Sequence, residues 1–235
     1  MQETKPPLLV IELFGAPGAG KSTLAKAVAA QAQARTRHRL SAEWHQQSAL
    51  RKAIHVTRGF AKVACISGAA RLAFGCRLHN RASIARLARV IAKSDWLRSQ
   101  HGLVLLDQGF LQDLWSVFYM ARCDDPGPAS LSPFLRSIYP LEKTRIVFVE
   151  VDPKTALDRL SRRSDGHSRL DRLSEAELQG ALERTAQLPN WIIGGAAAAG
   201  LQIVRLDGSE PIHVLAQHIR SLLPALVASD GRTVE

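Results

Sequence analysis

The sequence predicts an α/β protein in which a parallel sheet is sandwiched by helices. Three observations carry that prediction. The runs Leu8–Phe14, Leu103–Asp107 (LVLLD) and Thr144–Val151 (TRIVFVEV) are almost continuously apolar, as strands buried on both faces are. Helical patterns separate these runs, which is the order of right-handed crossover units. The first run also passes through a glycine-rich turn directly into an alanine-rich helical stretch. At 235 residues and 46% hydrophobic content, the chain can bury a full core and is too apolar for a disordered segment.

The first strand, Leu8–Phe14, leads into Gly15–Thr23, which reads GAPGAGKST. Gly15, Gly18 and Gly20 lack a Cβ, so the backbone through Ala16, Pro17 and Ala19 can curl closely around phosphate oxygens with its N–H groups turned inward. The helix from Lys21 to about Ala34 points its positive dipole end at the same oxygens. In this strand–loop–helix setting the motif is a P-loop. It predicts ATP and magnesium as ligands, with Lys21 on the β- and γ-phosphates and the Ser22 hydroxyl on the metal. Thr23 supports the first helical turn. Glu12 lies in the buried strand three residues before Gly15, where a charge needs a partner. It is either salt-bridged structure or part of an acceptor site.

A short second strand is expected near Arg37–Ser41, followed by helical pattern from Trp44 to about Arg98. Charge concentrates here. Of the chain's net +10, the stretch from Arg35 to Arg98 holds fourteen Lys or Arg against Glu43 and Asp95, a surplus of twelve. So sharp an asymmetry predicts an anionic partner. Ile84, Leu87, Ala88 and Ile91 mark one helical face, and Arg86, Arg89 and Lys93 the opposite one. That helix either packs its apolar face into the core or lies on a membrane surface. Trp44, Arg86 and Arg89, with Glu12, are the candidate acceptor contacts.

Asp107 ends the next strand, two residues before Gly109. Ligands of open α/β sheets sit at the carboxyl ends of the strands. Asp107 therefore falls beside the P-loop if its strand neighbours the first. There it would orient magnesium through water or accept a proton from an attacking hydroxyl, the alternative being a helix-capping Asp. A helix follows over Leu111–Arg122, then a DDPGP loop at Asp124–Pro128, a short helix at Ser132–Tyr139 and the strand Thr144–Val151. Pro153 opens the next helix, as a first-turn proline does.

Arg159, Arg162, Arg163, Arg169 and Arg172 cluster around a loop at Ser164–Ser168 between two helices. Arginines on a closing segment neutralise charge in phosphoryl transfer, which predicts a lid over 159–172. Ser174 and Glu177 form a capping box for a helix over Ser174–Leu188. Ala196–Gly200 is expected to be a loop. Leu201–Leu206 is the last strand and Pro211–Leu226 the last helix. Between them, Asp207-Gly208-Ser209 either touches a nucleotide base or makes an ordinary turn.

The boundaries are loose ends at 1–7 and 228–235 and a single domain over 8–227, with a basic helical acceptor region at 35–100. Cys65, Cys76 and Cys123 have neither disulfide nor metal spacing. No signal-peptide pattern opens the chain, and no run of about 18 apolar residues occurs, so a cytoplasmic protein is expected.

These motifs resemble the nucleotide-kinase group of P-loop proteins. GAPGAGK is similar to the adenylate kinase loop, with Ser22 after the lysine as in thymidylate and shikimate kinases. Val151–Asp171 resembles their lid, and LDGSEPIHVLAQHI their last strand and helix. The resemblance spans about two-thirds of the chain by order and spacing. It implies a five-stranded parallel sheet and an acceptor region between the first helix and the strand ending at Asp107. It also implies Arg159 near the adenine, with Arg163 and Arg169 on the transferring phosphates. Two departures stand out. Asp107-Gln108-Gly109 replaces the Asp-Arg of thymidylate kinases and the Glu-Arg-Ser of deoxynucleoside kinases, so the acceptor-holding arginine is missing. Phe14 replaces the thymidylate kinase Glu. The chain is also similar to kinase-like proteins of bacterial surface-polysaccharide synthesis.

The expected activity is transfer of the ATP γ-phosphate to a hydroxyl or phosphate of an anionic small molecule, with Lys21, Asp107, Arg163 and Arg169 as the catalytic set. The alternatives are a kinase for a lipid-linked or surface-polysaccharide sugar in peripheral membrane contact, a nucleic-acid-dependent NTPase or 5′-end polynucleotide kinase, and a nucleotide-binding regulator.

Overall fold

A computed structural model describes residues 7–31, 48, 54, 57, 81–123, 128–162, 170 and 173–223. Among them four parallel strands form one sheet: β1 (Leu9–Phe14), β2 (Leu103–Leu106), β3 (Thr144–Glu150) and β4 (Gln202–Asp207). Their spatial order is β2-β1-β3-β4. The fifth strand expected at Arg37–Ser41 lies outside the described residues. β2 pairs with β1, with Glu12 opposite Leu106, and β3 pairs with β1 on its other side, with Phe14 opposite Phe148.

Eight α-helices are described: α1 (Lys21–Gln31), α2 (Arg81–Arg98), α3 (Phe110–Ala121), α4 (Pro128–Ile138), α5 (Pro153–Ser161), α6 (Glu175–Thr185), α7 (Leu188–Ala198) and α8 (Ile212–Ser221). The two-residue period of the strands sorts them into layers. Ile11, Leu13, Leu105, Val147 and Val149 face Leu24 and Val28 of α1 and Leu215 and Ile219 of α8. Val10, Phe14, Val104, Leu106, Ile146 and Phe148 face the larger core built by α2, α3, α4 and α7. Glu12 has the parity of that second face and is completely buried in it.

Several local signals act as expected. Asp152 caps α5, its side chain accepting from the Thr155 N–H at 2.9 Å, with Pro153 in the first turn. Ser174 and Glu177 form the reciprocal capping box of α6. The loop expected at Ala196–Gly200 is instead the end of α7. Alanine is the best helix former, and this helix needs no polar stripe because its core side is unusually broad, with Ile192, Ile193 and Ala196 all buried. Gly195 lets α7 approach α4 closely, since a Cβ there would come within 2.6 Å of the Leu131 side chain.

α2 corrects the expected face pattern. Leu87, Ala88 and Ile91 are buried as predicted, but Lys93 is buried as well and pairs with Asp113 of α3. Arg86 and Arg89 are half-buried. The solvated basic face is therefore much narrower than the sequence pattern suggests. Among the described residues no helix is long and apolar enough to cross a membrane.

Candidate active site

Because all four strands are parallel, their carboxyl ends share one edge, and the chemistry-bearing residues gather there. β1 delivers the P-loop. Its glycines are required by close backbone approach: a Cβ on Gly15 would collide with the Val149 carbonyl of β3, and one on Gly18 would lie 2.5 Å from the Ala156 carbonyl of α5. Gly18 and Gly20 also hold φ of +84° and +83°, the region L side chains avoid. The loop is thus wedged between the end of β3 and α5. Lys21 begins α1 and turns its ammonium back over the loop, donating to the carbonyls of Gly15 at 2.9 Å and Ala16 at 2.8 Å. Ser22 is half-buried and Thr23 exposed.

The helix behind Gly18 carries Arg159. Its guanidinium donates to the Gly208 carbonyl at 3.0 Å and lies within 4 Å of the position a Gly20 Cβ would take. Arg159 therefore lies between the P-loop and the turn after β4. Ser209 N–H closes that turn onto the Asp207 carboxylate at 2.8 Å, which holds the Asp207 carboxyl below its ordinary range. Arg162 instead pairs with Asp158 on the surface at 2.8 Å. Arg163, Arg169 and Trp44 lie outside the described residues.

β2 delivers Asp107, buried, one residue beyond the registered pair Glu12–Leu106. The expected adjacency of its strand to β1 is therefore present. The chain then turns through Gln108 and Gly109 into α3, whose N-cap, Gly109, has no side chain to cap with. Glu12 fills that role from β1. Its carboxylate accepts from the Leu111 N–H at 2.7 Å and from the Tyr139 hydroxyl at 2.6 Å. Burial pushes the Glu12 carboxyl up to about 7, against the pull of the Tyr139 hydroxyl and the α3 amides. Burial and the facing Glu12 hold the Tyr139 hydroxyl well above its ordinary value, so it remains a donor. Glu12 is thus fully buried, and its carboxylate is bonded to two protein donors, the Leu111 N–H and the Tyr139 hydroxyl. Arg86 and Arg89 lie on α2, which packs on α3.

Three participants carried no advance signal of their role. Tyr139 is an ordinary residue before a proline in sequence, Lys93 reads as a surface cation, and Gly109 reads only as a turn. The room Gly109 leaves is occupied by the Glu12 carboxyl group, which any Cβ there would strike.

No family model matches the chain, and no curated protein matches it in sequence. Solved structures resemble it in shape. Deoxyadenosine kinase from M. mycoides with bound dCTP aligns over 92% of this chain and 100% of its own, at 15% identity and a TM-score of 0.47. Shikimate kinase from Bacteroides thetaiotaomicron aligns over 92% and 98%, at 18% identity and 0.48. A Bacillus subtilis protein solved with phosphorylated GDP aligns over 92% and 96%, at 14% and 0.48.

Proposed function

We propose that this protein is a phosphotransferase that moves the γ-phosphate of ATP to a hydroxyl or phosphate of an anionic small molecule. The observation that carries this reading is the pairing of a P-loop with a carboxylate on the adjacent strand end, Asp107 beside β1. A carboxylate at that address can serve the acceptor as well as the metal, which a P-loop without it cannot.

In this reading the Lys21 ammonium exchanges the Gly15 and Ala16 carbonyls for the β- and γ-phosphate oxygens, and the loop N–H groups and the α1 dipole hold the same charge. Arg159 lines the base side of the nucleotide. Asp107 accepts the proton of the attacking hydroxyl, or orients a phosphate acceptor. Arg163 and Arg169, in the stretch that follows α5, neutralise charge as it builds on the transferring group. The donor set fits magnesium: one hydroxyl, Ser22, and one carboxylate, Asp107, leave most positions to phosphate and water, as this ion prefers. Magnesium bound there would neutralise phosphate charge. The acceptor's own anionic groups would meet the basic stretch at 35–100, Arg86 and Arg89 included.

The test is incubation with γ-labelled ATP and pooled acceptors: nucleosides, nucleotides, sugar phosphates, oligonucleotides and a lipid extract. Label entering a small anionic product supports the reading. Label entering only the lipid or oligonucleotide fraction, or released only as inorganic phosphate, overturns it.

A further inference from the structure

We propose that Glu12 is a positioning residue for Asp107, clamping the turn that carries it to the strand that carries the P-loop. The proposal rests on the phosphotransferase reading for its consequence, though not for its geometry. Leu106, just before Asp107, pairs through its backbone with Glu12. Leu111, four residues after Asp107, donates its N–H to the side chain of the same Glu12. Both ends of the short span 106–111 are therefore fixed to one residue of β1, three positions before Gly15. Asp107 has little freedom left to move relative to the P-loop.

The clamp is built and not incidental. Gly109, inside the span, is the residue whose Cβ would strike the Glu12 carboxyl group, so the turn and the carboxylate are shaped to each other. The α3 N-terminus has no cap of its own, and a carboxylate is what such an end favours. The second carboxylate oxygen is held by Tyr139, at the end of α4, which fixes the side-chain rotamer from the far side. Of the other charged groups near it, Asp113 on α3 repels the carboxylate and is itself paired to Lys93 of α2, while Lys21 is turned over the P-loop carbonyls. The arrangement makes the orientation of the reacting carboxylate depend on a residue that never meets substrate. Outer groups of this kind characteristically carry about ten- to hundredfold of activity.

The experiment uses the full chain and reads MgATP turnover without acceptor, MgATP affinity and amide hydrogen exchange. Glu12→Ala is expected to lower turnover about tenfold or more with affinity within about twofold, and to cost nothing further in an Asp107→Asn background. Glu12→Gln keeps an acceptor for the Leu111 N–H and recovers most of the loss. Equal losses in both backgrounds, or a Gln variant as poor as Ala, would overturn the proposal. Should Glu12→Ala not fold, Gly109→Ala disturbs the same contact and carries the same expectations. If the unaltered protein shows no acceptor-free turnover, the clamp is judged by exchange alone, and the phosphotransferase reading stands or falls on label transfer into the acceptor pool. The Leu111 amide should then exchange at least about tenfold faster in the variant while that of Leu24, on α1, is unchanged; an unchanged Leu111 amide rejects the clamp.

Discussion

Replacing Glu12 by glutamine should remove a pH dependence of stability that the buried carboxyl imposes. In the folded protein Glu12 is pushed up to about 7, chiefly by burial, whereas its ordinary value is 4.5. Between those values the folded chain keeps a proton that the unfolded chain has released. Stability contributed by this group is therefore complete below about pH 4.5 and is lost as the pH rises through about 7. Full ionisation in place costs about 3 kcal/mol, most of it between about pH 5 and about pH 8. Urea unfolding of the unaltered protein and of Glu12→Gln at both pH values isolates the effect, because every other titrating group cancels in the difference. The unaltered protein should lose about 2–3 kcal/mol more than the variant on going to the higher pH. Identical losses would mean that Glu12 ionises as an exposed carboxyl does, and would refute its placement under the α3 turn.

Two further perturbations read other parts of the site. Lys93→Ala breaks the Lys93–Asp113 pair between α2 and α3 and should cost about 2 kcal/mol, because it leaves a half-buried carboxylate without its cation. Thermal unfolding should show the loss, and Asp113→Asn in the same chain should restore part of it. Gly18→Ala forces a Cβ toward the Ala156 carbonyl at a positive φ, a strain of about 1–2 kcal/mol. Calorimetric titration should show MgATP affinity reduced at least about tenfold, since the loop can relieve the strain only by leaving α5.

The parts of the molecule that follow local rules were legible in the sequence. Continuous apolar runs located three of the four described strands, the fourth being the mixed run Leu201–Leu206, and the P-loop declared itself because its glycines, lysine and serine sit between a strand and a helix. Asp107 was legible for the same reason: a carboxylate at a strand end has a predictable address in an open parallel sheet. What escaped was tertiary. Lys93 reads as part of a basic surface stripe until α3 supplies Asp113. Tyr139 gives no sign that its hydroxyl reaches β1, some 127 positions away. The alanine run of α7 reads as low complexity because alanine carries no face signal, and only its packing against α4 shows what it does. Glu12 was recognised as anomalous, a charge inside a buried strand, yet its partners were an amide and a hydroxyl instead of the cation that charge counting suggests.

The central claim is phosphoryl transfer, and γ-labelled ATP tests it most directly. With magnesium and an acceptor pool, the unaltered protein should move label into an anionic small molecule. Lys21→Ala and Asp107→Asn should each lose at least about a hundredfold of that transfer, and Asp107→Asn should still bind ATP. Transfer that survives Lys21→Ala, or ATP consumed to free phosphate with every acceptor left unlabelled, would contradict the account.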